Sequence, residues 1–404
     1  MGPSTSPANP TASAAAAPII AVPAHPIAAV FSPDGVYAYI LYWAHSRQAA
    51  ASKSGILVIN VRTGHTHSIE PDSGCTTGIA DPAQNALFFA CGHKGNHEIL
   101  KINPQNGRAL GAITLPWRPT SLALGNRGQH LYAPVVMHDT ILKINIAHAA
   151  PVARLGSVIE QPQSVALIGS NLVVVGRKIT IISALTGHTI TPSVKLTHNY
   201  PDKVLIASHR AFVGTTGNSH FVLLAREANG QWTDSDIFLL QGLRGLPAHI
   251  PAYALLDVGY KMAMAPAVQR LYFVTTSVYK TASNLPAFQL QPGLSATQRF
   301  FAEHDYRHLL GHDTSAKTHS VQFVVVWDTR AKRALSMFTI NTGSFFETFA
   351  ASPHGRTLVV GVRRDGLEYA DIINVATKQI TARVKLPWVQ LGPQIKGPSS
   401  FYMD

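Results

Sequence analysis

From residue 25 onward, apolar and polar positions alternate in short runs broken by Pro, Gly, Asn and Asp. This is the pattern of half-buried β-strands joined by tight turns, not of amphipathic helices. The runs recur as a unit: an apolar strand, a short turn, a β-branched or aromatic strand, and a further pair ending near a Thr-Gly-like turn. The clearest copy is IAAVFSPDGVYAYILYW followed by GILVINVRTGHTHSI, from Ile27 to Ile69. Six more open on TTGIADPAQNALFFACG, TSLALGNRGQHLYAPVV, QSVALIGSNLVVVG, DKVLIASHRAFVGTT, KMAMAPAVQRLYFVTTSVY and ETFAASPHGRTLVVGVRR. Their first turns fall near Pro33, Pro82, Asn126, Gly169, Ser208, Pro266 and Pro353, mostly 40 to 60 residues apart. Four short strands in a period of that size mark a propeller blade. The repeat predicts an all-β chain with one domain over residues 25–404, a seven-bladed β-propeller of four-stranded antiparallel blades.

Two segments fall outside the repeat. The last two turns are 87 residues apart, which places an insertion over residues 281–318 in blade six. A connection of that length is usually functional or part of an interface. Residues 1–24 are rich in Ala, Pro, Ser and Thr, with no positive n-region and no long apolar core. They are not an intact signal peptide and read as a disordered leader of the kind left behind by a removed export signal. No apolar run reaches the roughly 18 residues needed to span a bilayer, so no membrane span is expected.

Charge narrows the partners. The 404 residues carry 33 Lys+Arg against 21 Asp+Glu, a formal net charge of +12, and 19 histidines. Only 13% of residues are charged, against about 25% in ordinary globular chains. Strands rich in β-branched and apolar positions leave little surface for Lys and Glu. The positive charges are scattered and never form a run of five, so the footprint of a nucleic-acid binder is missing. The histidines add positive charge as the pH falls from about 7 to 5, which fits tolerance of an acidic exterior or simple compositional drift.

Signatures of chemistry are few. There is no P-loop, dinucleotide fingerprint, nucleophile elbow, HExxH or paired CxxC. Two cysteines can build neither a thiolate zinc cluster nor an iron–sulfur site. Cys75 and Cys91 lie eight residues on either side of the turn centred near residue 83. They face one another across an antiparallel pair, within disulfide reach. A bridge implies an oxidising compartment; two buried free thiols are the alternative. The densest constellation is QRFFAEHDYRHLLGHDTSAKTH in the insertion, with His304, His308, His312 and His319. If residues 298–310 are helical, His304 and His308 share a face, and His312 extends it. Such imidazoles can take Zn, Cu or Ni; the alternative is a solvated or interface helix end. His65, His67, His93 and His97 read as edge residues, and Trp117, Trp232 and Trp388 as packing residues near blade boundaries.

The stretch HSVQFVVVWDTRAKRALSMFTI, the final blade and the terminal LGPQIKGPSSFYMD resemble the C-terminal region of the heavy subunit of tryptophylquinone amine dehydrogenases. The Ser32-Pro33-Asp34-Gly35 turn is similar to that of YVTN-type seven-bladed propellers. The first resemblance implies a periplasmic or secreted scaffold that docks a small Cys-rich light subunit. The tryptophylquinone cofactor would sit on that partner, with no cofactor or catalytic residue in this chain. The pair would oxidise primary amines and pass electrons to an electron-transfer protein. A stand-alone YVTN-like propeller that binds a protein, ligand or metal without catalysis is the alternative. An independent hydrolase is a poorer reading, because no nucleophile, base and oxyanion arrangement can be named.

Overall fold

The computed structural model describes residues 20–46, 51–71, 74–93, 95–125, 128–156, 159–194, 201–207, 210–215, 220–226, 232–238, 257–281, 317–331, 333–340, 346–364 and 367–391. Among these residues the strands form seven four-stranded antiparallel sheets, each built from four consecutive strands, and one two-stranded sheet. The first strands of the four-stranded sheets are His25–Phe31, Cys75–Asp81, Ala123–Leu124, Ser164–Ile168, Pro201–Ala207, Asp257–Ala265 and Phe346–Ala351. Each touches the first strands of both neighbouring sheets, His25–Phe31 meeting Phe346–Ala351 to close the ring. First strands are therefore innermost and the sheets are propeller blades, numbered one to seven in chain order.

The two-stranded sheet corrects the reading of the chain as four-stranded blades and a leader alone. Ile20–Pro23 pairs antiparallel with Trp388–Leu391 from the far end of the chain, Ile20 opposite Leu391 and Pro23 opposite Trp388. The last residues of the segment read as a leader are thus a strand. A lone pair drawn from both chain ends has no period, so repeat analysis does not register it. The second and third strands of blade six run to Thr281 and from Lys317, and the residues between them lie outside those described.

Alternation along the strands gives each blade two apolar faces, and burial occurs between blades. Tyr39, Leu41, Ile56 and Val58 of blade one pack on Leu87, Phe89 and Ile102 of blade two. Phe88 and Ile99 face the opposite way, onto Leu131, Leu142 and Ile144 of blade three. The remaining five junctions are filled the same way, including the seam, where Ile40 and Ile59 meet Val359 and Ile372. Fully burying one such side chain contributes about 1.5–3 kcal/mol.

Turn chemistry fixes the register. In blade one the Ser32 hydroxyl donates to Asp34 Oδ1 at 2.6 Å, and the Val36 N–H donates to the same oxygen at 3.0 Å. Gly35 adopts φ +71° to close the turn. Blade seven repeats the device with Ser352-Pro353-His354-Gly355, where Ser352 Oγ accepts from the Thr357 N–H at 3.0 Å. A second device recurs at or just past the end of the third strand in six blades. Asn60, Asn103, Asn145, Ser183, Asp328 or Asn374 accepts backbone N–H bonds from residues two or three positions on. At Asp328 these bonds, chiefly from Ala331, hold the carboxyl below its ordinary range.

Polar latches then tie blade to blade. The Tyr39 hydroxyl donates to the Pro104 carbonyl at 2.8 Å, Gln84 Nε2 to Gly128 at 2.5 Å, Arg210 Nη1 to Thr329 at 2.9 Å, and the Tyr272 hydroxyl to Gly355 at 3.0 Å. All four lie on the face where first strands end. The opposite face, where first strands begin, carries the hairpins between second and third strands and the crossings from one blade to the next. We call it the entry face.

Candidate functional site

On the entry face, the crossing from blade two to blade three carries Trp117 and Arg118, just after the outer strand Ala109–Leu115. In blade three the connection between second and third strands is a 3-10 turn, Val136–His138, closed by Asp139 at φ +47°. The outer strand of the same blade, Ala150–Leu155, brings Arg154 to this end. These elements meet on the indole of Trp117. The His138 ring lies 4.1 Å from it, centroid to centroid, and the Arg154 guanidinium carbon lies 4.2 Å from its centroid. A guanidinium over an indole face is held by the ring quadrupole and keeps its N–H fork for another acceptor.

Arg118 stands beside this assembly. No carboxylate among the described residues pairs with Arg118 or Arg154. Partial burial pushes the Arg118 guanidinium below its ordinary value. His97, in the third strand of blade two, is likewise held below its ordinary value, first by burial and then by the charge of Arg118. Its Nδ1 is buried with no hydrogen-bond partner among the described residues, as suits a neutral ring. Two acids on this face have partners of their own: Glu160 Oε1 lies 3.3 Å from Lys178 Nζ, and Asp139 Oδ1 accepts the Gln161 N–H at 2.7 Å. The result is a small cationic and aromatic patch whose arginines have no carboxylate partner among the described residues, able to hold an anion.

Of the residues singled out from sequence, Trp117 and His97 fall in this patch and the others lie elsewhere or outside the described residues. His304, His308 and His312, read as metal ligands, lie outside the described residues. His319 falls in the third strand of blade six, opposite Tyr279. Among the described residues no group of three His, Cys, Asp or Glu side chains could hold a metal ion. Cys75 and Cys91 are directly opposed in the first two strands of blade two and are joined by a disulfide. His65 and His67 are exposed on or beside the outer strand of blade one. Trp232 is half-buried against the core between blades four and five. Trp388 is exposed on the two-stranded sheet. Trp117 packs on His138 and Arg154, partners that lie 21 and 37 positions away and that no local motif connects to it. The signal within reach was the blade period itself, which places residues near 117, 138 and 154 at one end of blade three.

No protein-family model matches this chain, and no curated protein sequence matches it. Solved structures do resemble it. Hydrazine synthase of Kuenenia stuttgartiensis aligns with a TM-score of 0.56 at 14% identity, covering 87% of this chain and 96% of that one. The β-propeller domain of Cps50 (Swd1) from Myceliophteria thermophila aligns with a TM-score of 0.54 at 12% identity, covering 89% and 99%. A chain of the Mitotic Checkpoint Complex aligns with a TM-score of 0.54 at 11% identity, covering 96% and 95%. Likeness at such identities shows the β-propeller fold and nothing of amine oxidation.

Proposed function

We propose that this chain is a non-catalytic scaffold that holds a partner protein on its entry face. The observation that carries the reading is the Arg154 guanidinium stacked on Trp117, with Arg118 next in the chain and neither arginine paired with a carboxylate among the described residues. Half-buried aromatic and exposed arginine side chains of this sort are enriched where one protein grips another. Trp43 and Trp388, both exposed, add apolar surface near the two-stranded sheet. The Cys75–Cys91 disulfide supports an exported location, since such bonds persist in oxidising compartments.

A narrower form of this reading rests on the resemblance of the C-terminal stretch to amine dehydrogenase heavy subunits. In it the partner is a small Cys-rich chain bearing tryptophylquinone, and the complex oxidises primary amines. Purification from the native host tests both forms. A second chain should co-elute with the wild-type protein and be lost from a Trp117→Ala, Arg118→Glu variant that melts at the wild-type temperature. For the narrower form, that chain should also stain for a covalently bound quinone. A monomeric native mass, with no companion chain sensitive to the variant, would overturn the scaffold reading.

A further inference from the structure

We infer that Arg118 and Arg154 form a carboxylate clamp that receives an acidic segment of the partner protein. This deepens the scaffold reading and rests on it. Arg154 is anchored through its π-face to Trp117, 4.2 Å from the ring centroid, so stacking fixes its direction without using its N–H donors. His138 lies on the same indole at 4.1 Å and limits its movement. Arg118 follows Trp117 directly in the chain and is exposed. One fork-shaped donor of fixed direction, with a second guanidinium on the residue next to its aromatic anchor, suits planar carboxylates, which accept two parallel N–H bonds.

The surroundings keep the clamp available. Glu160 Oε1 is drawn to Lys178, and Asp139 Oδ1 accepts from the Gln161 backbone, so each acid has a partner other than the two arginines. Across the adjoining blade, Arg177 Nε donates to Gln161 Oε1 at 3.3 Å, which adds a third positive charge to the rim. The whole chain carries a net charge of +12, favouring approach by an acidic partner. The patch is compact, which favours a short acidic peptide over the extended phosphate track of a nucleic acid.

The test uses the full chain and a fluorescein-labelled hexaglutamate peptide, read by anisotropy. Hexaglutamine and a single-stranded oligonucleotide of equal charge serve as comparison probes. The acidic peptide should bind, hexaglutamine should not, and binding should weaken with salt. Arg118→Gln combined with Arg154→Gln should weaken binding by roughly tenfold or more, as the loss of two charge-assisted contacts implies. Arg118→Lys with Arg154→Lys keeps the charge but not the fork and should fall between. Lys178→Gln, outside the clamp, should change affinity less than the double arginine variant. Equal weakening by Lys178→Gln, or tighter binding of the oligonucleotide than of the peptide, would overturn the clamp. If peptide affinity ignores the arginines while the native companion chain is still lost from the Trp117→Ala, Arg118→Glu variant, the clamp fails and the scaffold stands. If neither responds, both fail.

Discussion

His25 Nδ1 lies 2.8 Å from Glu368 Oε1, joining residues 343 positions apart across the seam where the last blade meets the first. The Glu368 side chain is 1% exposed, and Arg363 Nε approaches the same oxygen at 3.6 Å. Beside this pair Val389 of the two-stranded sheet and Leu386 just before it pack with Tyr42 and Ala44 of blade one. The ring is thus closed by three means: apolar packing, a strand pair from both chain ends, and a polar contact to a buried carboxylate.

Removing His25 leaves that carboxylate with the longer Arg363 contact. A buried acceptor that loses its partner costs about 1–3 kcal/mol. His25→Ala should lower the urea midpoint accordingly, and His25→Gln, which can still donate, should recover part of the loss. An unchanged midpoint in His25→Ala would show that the seam does not depend on the pair.

Of the turns read from sequence, those at Pro33, Pro82, Gly169, Pro266 and Pro353 lie between first and second strands, because Pro, Gly and Asp punctuate the chain where the backbone must reverse; Asn126 and Ser208 lie outside the described residues. The cysteine pairing was legible for the same reason, since one hairpin turn fixes which residues oppose. What the sequence hid was non-local. Ile20–Pro23 finds Trp388–Leu391 only once the ring has closed. Arg154 reaches Trp117 only because blade three brings its outer strand back to the crossing loop. The insertion histidines were conspicuous by composition, yet the described cationic patch is made of residues spread over three elements.

Blade seven contains a second buried carboxylate. Asp371 is fully buried, and Arg383 Nε and Nη2 donate to its two oxygens at 2.6 and 2.8 Å. Arg383 also lies 5.7 Å from the Tyr369 ring centroid. Replacing one partner strands a buried charge, at a cost of about 3–5 kcal/mol, whereas replacing both with apolar groups is often close to neutral. Arg383→Met should therefore destabilise strongly, and adding Asp371→Leu should restore most of the loss. Equal damage in the single and double variants, measured by chemical denaturation, would assign the role to packing instead of charge pairing.

The disulfide in blade two closes a loop with a sequence separation of 16. Loop-closure entropy for a chain of that length is worth about 3 kcal/mol. Changing Cys75 and Cys91 together to Ala should lower the melting temperature measurably and make it insensitive to reductant, while the wild-type protein should melt earlier in dithiothreitol. A wild-type melt that reductant leaves unchanged would place the bond's contribution near zero.

Two histidines give stability a pH slope of predictable sign. Burial, then the charge of Arg118, holds His97 below the ordinary histidine value of 6.5; burial, then Lys143, does the same for His130. Each ring binds its proton less readily in the folded chain than in the unfolded one. Between the lowered value and about 6.5 the unfolded chain therefore carries more protons, and stability increases with pH. Their contribution is complete above about pH 6.5 and is lost as the pH falls below it. The melting temperature should drop on going from about pH 7.5 to 5, with that part of the slope flattened in a His97→Gln, His130→Gln double variant. A double variant with the full wild-type slope would move the origin of acid sensitivity to other histidines among the 19.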